Sequence, residues 1–213
     1  MDRADAVELL EDPSLPDEVA AKAYRELART QCFLRNTAAI FRELRRNSLP
    51  IRRVLDIGCG HGALLEDIRG RLGVDVIGFD LRPAPASCTL PIVNGNAATD
   101  PLPEADVAIC VCMLHHLSQH DAVALIRNAS RSCRRLIVLD LVRHRIPLAL
   151  FRVFLSPFLN RINAADGVTS IKRAFTPGEM RALVDEAVQG TGARVRHTVA
   201  PFYTRQIIDI EWR

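Results

Sequence analysis

No stretch of this chain approaches the roughly 20 consecutive apolar residues that a membrane-spanning helix needs. The best candidate, residues 146–159, is broken by Pro147, Arg152 and Pro157, so no membrane span is expected. The opening residues, Met1-Asp2-Arg3-Ala4-Asp5, are charged where a secretory leader would be apolar, and the expected location is cytoplasmic. Lysine is nearly missing. Lys22 and Lys172 are the only two, and arginine carries the rest of the basic charge, which reads as compositional bias. The net charge is only +3, without the concentrated basic charge of most nucleic-acid binders. Internal repeats and low-complexity tracts are absent.

What is present suits one α/β domain. The 213 residues, 48% hydrophobic and 25% charged, are enough for a real core and few for two domains. The cysteines are Cys32, Cys59, Cys88, Cys110, Cys112 and Cys133. Without a leader they read as reduced thiols, and the last three fall in or beside apolar runs.

Residues 5–47 read as helical, with a break at Asp12-Pro13-Ser14-Leu15-Pro16, Asp17 at an N-cap position, and a stop at Asn47-Ser48-Leu49-Pro50. From Val54 the texture changes to short apolar runs alternating with helical patterns. Strands are expected at 53–57, 74–79, 91–94, 106–111 and 135–140, and helices at 62–71, 119–130 and 177–188. Thr176-Pro177-Gly178-Glu179 is a capping box with proline at the first helical position. Residues 193–199 and 205–212 read as two final strands paired antiparallel. The expected fold is a Rossmann-like, doubly wound, seven-stranded sheet, mostly parallel with an antiparallel C-terminal strand. The expected division is an N-terminal helical lid over 1–49 and the main domain over 50–213, with a substrate-covering insertion over 144–175.

The chemistry concentrates at Val54-Leu55-Asp56-Ile57-Gly58-Cys59-Gly60-His61-Gly62. Glycines at a strand-to-helix turn let a ligand approach the backbone, and the helix N-terminus behind them favours a carboxylate or phosphate. Asp56 would disfavour a pyrophosphate and suit an ammonium. Twenty positions after Gly60, Asp80 ends the next apolar run, where dinucleotide sites place a ribose-binding acid. His61 is either a ligand contact or a surface residue.

These motifs resemble those of the class I S-adenosylmethionine-dependent methyltransferases. Residues 54–62 stand as the first motif, Gly78-Phe79-Asp80 as the second, Gly95-Asn96-Ala97 with Leu102-Pro103 as the third, and the run from Asp106 through Leu117 as the fourth. The third usually has aspartate where this chain has Asn96. The resemblance implies S-adenosylmethionine as cofactor. Asp56, Gly58, Cys59 and Gly60 would hold its methionine end, Asp80 the ribose hydroxyls, and Leu81 the adenine face. Asn96 and Ala97 would meet the adenine edge, and Cys112 would lie near the sulfonium. His115 and His116 are the candidate general bases, since an ordinary imidazole titrates near 6.5. A histidine pair without catalytic duty fits the same motif.

No metal is expected. Cys110 and Cys112 lie two apart on a strand beside the histidines, but no second pair completes a zinc set. The Asn/Asp-Pro-Pro-aromatic sequence of base-amino methyltransferases is also missing after the fourth strand. Arg42, Arg45, Arg46, Arg52 and Arg53 read as a solvated face, and no nucleic-acid partner is expected. The run Asp166-Gly167-x-x-Ser170-x-x-Arg173-Ala174-Phe175-Thr176-Pro177 resembles a bacterial small-molecule subgroup of ubiquinone type. It implies an apolar, phenolic or quinol-like acceptor of secondary metabolism, with O-methylation favoured over C-methylation. The phenylalanines of 151–158 could instead be ordinary core or the face of a homodimer. An idle cofactor-binding protein on the same fold, or an NAD-dependent oxidoreductase, are the alternatives. Asp56 and the later motifs speak against the oxidoreductase.

Overall fold

The computed structural model describes residues 1–12, 14–46, 50–84 and 88–212. The expected breaks at Pro13 and at 47–49 lie outside the described residues, as do the side chains of Asp17 and Cys32.

Seven strands form one sheet in the order β3-β2-β1-β4-β5-β7-β6. They are β1 (Arg53–Ile57), β2 (Asp75–Asp80), β3 (Ile92–Asn94), β4 (Ala105–Val111), β5 (Cys133–Asp140), β6 (Arg194–Val199) and β7 (Gln206–Glu211). The first five run parallel, and β7 inserts antiparallel between β5 and β6. Helices are α1 (Asp17–Phe33), α2 (Asn36–Leu44), α3 (Ala63–Leu72), α4 (Gln119–Ser132), α5 (Arg145–Leu150), α6 (Arg161–Arg173) and α7 (Pro177–Val188).

Strand alternation explains the two layers. Leu55, Ala108, Leu136 and Val138 pack against Leu125 and Ile126 of α4 and Met180, Leu183 and Val184 of α7. Their neighbours Val54, Val107, Ile109, Ile137 and Leu139 face Ile40, Phe41 and Leu44 of α2 and Leu65 and Ile68 of α3. The expected strands and helices fall within two residues of those observed. The capping box at Thr176 and Glu179 forms in both directions.

The N-terminal segment departs from the expectation in two ways. Residues 5–8 are not helical; a 3-10 turn covers Leu9–Glu11. The helical run is then cut by Arg35 in the left-handed region (φ 58°), although no glycine or proline marks the cut. Within the 1–49 segment, α2 supplies core to one face of the sheet. Residues 1–11 instead run along α6: Leu9 and Leu10 donate their amides to Asp166, and Arg3 donates to the carbonyls of Arg173, His115 and Leu117.

The 144–175 segment is α5, a π-helical turn over Phe151–Leu155, a 3-10 turn and α6. It follows the C-terminal end of β5. The Phe151 ring presses so closely on α6 that a Cβ at Gly167 would lie 2.1 Å from it. Any side chain at 167 would push the two elements apart.

Candidate active site

The turn after β1 crosses the C-terminal ends of the central strands. Gly58, Gly60 and Gly62 all have positive φ (77°, 54° and 78°), but their surroundings differ. A Cβ on Gly58 would lie 2.4 Å from Met113 Cγ, and one on Gly62 would lie 2.5 Å from Leu90 Cδ1. At Gly60 a Cβ would meet nothing within 4 Å among the described residues. Two of the glycines therefore serve protein packing as well as the turn, and Gly60 is the one whose Cα faces open space.

Asp80 ties this loop to β2. Its Oδ2 accepts from the Gly60 amide at 2.7 Å, and its Oδ1 accepts from the Arg82 amide at 2.9 Å. A carboxylate has about four acceptor sites, so two hydroxyl donors can still be received. Leu81 beside it is a large apolar side chain left 72% exposed. Asp56 is buried under the loop, and burial together with the nearby Asp80 raises its pKa to about 7. Cys59 packs beneath Gly78, whose missing Cβ would lie 2.5 Å from the sulfur. Burial pushes its thiol pKa far up, so it stays neutral.

Asn96 lies at this end of the sheet, but its side-chain oxygen accepts from the Ala98 amide and its own amide donates to Asp100. This is an Asx-type turn. The Ala97 carbonyl is taken by Asn128 Nδ2 at 2.9 Å; among the described residues its amide has no partner. Cys112 is a non-glycine residue at φ 51°. This left-handed kink turns its side chain to the α2–α3 layer, whereas Cys110 packs into the α4–α7 layer. The two thiols therefore do not share a face as plain strand alternation would have them do, and the zinc reading loses its starting pair.

The histidines separate in character. His115 is 2% exposed. Its Nδ1 lies 2.6 Å from Asp140 Oδ1, its amide donates to Asp140 Oδ2, and its Nε2 faces Glu8 Oε1 at 3.6 Å. Burial works against its charge, but Asp140 and Glu8 outweigh that and raise its pKa to about 9. Both ring nitrogens face carboxylates, and the ring is an imidazolium at neutral pH. His116 is partly exposed. Its ring lies 4.2 Å from that of His115, and its Nε2 lies 3.9 Å from Glu8 Oε1. Glu8, His115 and His116 present donor atoms within 4.8 Å of one another, a set that could hold a divalent ion. In this arrangement the protonated His115 already supplies positive charge between Asp140 and Glu8.

Glu8, Asp140, Tyr24 and Arg3 were invisible as site residues in the sequence. Glu8 accepts from Ser170 Oγ at 2.6 Å, a contact across 162 positions that no motif reports. The Tyr24 ring of α1 lies 4.5 Å from His61, and its hydroxyl accepts from Arg82. Thus α1 touches both the glycine loop and the residue two positions after the ribose-type acid. The arginines of 42–53 lie elsewhere: Arg42 and Arg46 contact Glu43, and Arg53 contacts Asp75.

A doubly wound 3-2-1-4-5-7-6 sheet with a glycine turn after β1 and an acid ending β2 defines a class I S-adenosylmethionine-dependent methyltransferase fold. The profile of a family described as a methyltransferase domain matches residues 22–206, and the chain belongs to that family. No curated protein matches the sequence. Among solved structures, the plantazolicin methyltransferase BamL, in complex with a triazolic desmethylPZN analog and SAH, is similar at TM-score 0.72 and 13% identity. That match covers 93% of this chain and 92% of that one. The plantazolicin methyltransferase BpumL in complex with SAH gives 0.70 and 15%, covering 92% and 91%. Human N-acetylserotonin methyltransferase in complex with SAM gives 0.52 and 18%, covering 76% and 48%. At these identities the likeness is one of fold.

Proposed function

We propose that this enzyme, an S-adenosylmethionine-dependent methyltransferase, methylates the oxygen of an apolar, phenolic or quinol-like small molecule. The observation that carries the cofactor half is the frame around Gly60. An open Cα, a carboxylate fixed beside it with acceptor capacity to spare, and an exposed Leu81 suit a ribose with an adenine above it. When bound, S-adenosylmethionine supplies a methyl group already activated on a sulfonium. Asp56 under the loop would favour the ammonium of the methionine end, the Ala97 amide would meet the adenine edge, and Cys112 and Met113 would flank the methyl group.

The acceptor half rests on what covers this end of the sheet. The 144–175 segment, which follows β5 at this end, carries the apolar run Leu148-Ala149-Leu150-Phe151, and positioning in a water-poor site provides much of the acceleration in such a transfer. In O-methylation the acceptor oxygen bonds the methyl carbon, the carbon–sulfur bond breaks, and S-adenosylhomocysteine leaves. The hydroxyl proton needs a base. His116 is the better assignment, because His115 is sealed between Asp140 and Glu8 and carries its proton already. Glu8 would then orient both rings.

Two measurements test this reading. Asp80→Ala should abolish S-adenosylmethionine binding measured by calorimetry; unchanged affinity would overturn the site assignment. A screen of phenolic and quinol acceptors for S-adenosylhomocysteine release should find turnover. Release only with peptide or nucleic-acid acceptors would overturn the acceptor class.

A further inference from the structure

Outside the site, one surface stands out. After β5 the chain presents Ile146, Val153, Phe154 and Phe158 to solvent, the last three 62%, 66% and 82% exposed. The 3-10 turn Pro201–Tyr203 lies against α5 through the stacking of Tyr203 on His144 at 4.3 Å, and it adds an exposed Phe202. Large apolar side chains exposed on neighbouring short elements in this way mark a place where something binds.

Charge says what binds. Residues 141–165 contain four arginines and no acidic residue. Arg143 is buried and paired with Glu179. Arg145, Arg152 and Arg161 are exposed, and none has a carboxylate partner among the described residues. Glu26 of α1, which reaches this segment, commits its carboxylate to Asn160 and Asn163. The patch therefore combines large apolar side chains with uncompensated positive charge. A second copy is a poor occupant, because a two-fold interface sets the same patch against itself and would bring the arginines face to face. Apolar side chains among arginines match the boundary of a bilayer with anionic headgroups. No helix of the described residues is long and apolar enough to cross a membrane, so the match is to the surface.

We propose that the 146–158 face docks this protein on anionic lipid bilayers. Phe154 and Phe158 enter the headgroup–acyl boundary, and Arg145, Arg152 and Arg161 contact the headgroups. The patch follows β5 at the end of the sheet that carries the glycine loop, so docking brings that end toward the lipid. The inference stands on the surface alone and does not require the phenolic acceptor.

The test is co-sedimentation with vesicles of phosphatidylcholine alone and of phosphatidylcholine with phosphatidylglycerol, without cofactor or acceptor. The protein should pellet with the phosphatidylglycerol vesicles and be released by salt. The double variant F154S/F158S and the triple variant R145E/R152E/R161E should each lower partitioning by at least about tenfold. Unchanged Tm would show that each still folds. If the phenylalanine variant fails to fold, the arginine variant, which alters only exposed side chains, carries the test. Wild-type protein remaining in the supernatant, or variants pelleting equally, would overturn the proposal. So would a wild-type dimer that F154S/F158S turns into a monomer.

Discussion

His115 Nδ1 lies 2.6 Å from Asp140 Oδ1 at the end of β5, and this contact divides two adjacent histidines into different chemical species. Asp140 also accepts from the His115 and Leu141 amides. It therefore fixes the whole turn that follows β4. With Glu8 on the other ring nitrogen, His115 becomes a buried cation that joins the N-terminal strap to the sheet.

The pH dependence of stability should show this. The folded His115 pKa is raised to about 9, above the unfolded value near 6.5. Its contribution is fully present below about pH 6.5 and is lost as pH rises through about 9. Melting temperatures between pH 6 and pH 10 should fall in that window. Asp140→Asn should lower Tm at pH 6 and flatten the profile; an unaltered profile would show that His115 is not the titrating group.

Asp56 gives the opposite dependence in cofactor binding. Its pKa is raised to about 7 in the free protein, so below that pH the cofactor must displace a proton to gain the carboxylate. Affinity for S-adenosylmethionine should weaken by about tenfold per pH unit below 7. Asp56→Asn should bind weakly with little pH dependence, which calorimetry at pH 5.5–8.5 would report.

The three glycines of the turn should respond differently to alanine. Gly58→Ala forces a Cβ into Met113 and should cost about 1–3 kcal/mol of stability in denaturant titration, beyond the strain of positive φ. Gly60→Ala meets no atom of the described residues within 4 Å. It should cost about 1 kcal/mol from backbone strain and lose cofactor affinity out of proportion.

His116→Ala should lower kcat on the true acceptor by about 10²-fold with cofactor affinity unchanged. Glu8→Gln should lower kcat, because the same carboxylate faces both imidazoles. Full turnover by the His116 variant would remove it as the base.

A second buried charge network holds the far side of the sheet. Arg135 of β5 pairs with Asp209 of β7 at 2.7 Å, and Arg196 of β6 bridges Asp209 and Glu43 of α2. Removing one partner, as in Asp209→Ala, should cost about 3–5 kcal/mol by leaving Arg135 buried without it. Asp209 and Glu43 are desolvated by burial, yet Arg135 and Arg196 hold Asp209, and Arg196 and Arg46 hold Glu43, below their ordinary range. Their stabilisation is present above about pH 4 and is lost on acidification. An acid unfolding midpoint that moves upward in Arg196→Ala would report it.

Much of the fold was legible because its signals are local. Buried parallel strands read as apolar runs, and Thr176 with Glu179 announces a helix start within four residues. The break at Arg35 and the kink at Cys112 were not legible, since each puts an ordinary L-residue at positive φ through forces from elsewhere. The division of labour between His115 and His116 depends on Glu8 and Asp140, which are distant in the chain from the pair and from each other.

The sequence by itself determined the strands and helices, the glycine turn and the acids Asp56 and Asp80, and the resemblance of those motifs to a known family implied the methyl-donor class. Short-range periodicity and motif spacing are enough to specify these. Only the tertiary structure decided that, among the described residues, Gly60 alone of the three faces open space, that Asn96 closes its own turn, that His115 is a sealed cation, and that Phe154 and Phe158 stand exposed on a segment with exposed arginines. Each of these depends on which distant groups desolvate, charge or cover a residue, and only packing brings those groups together.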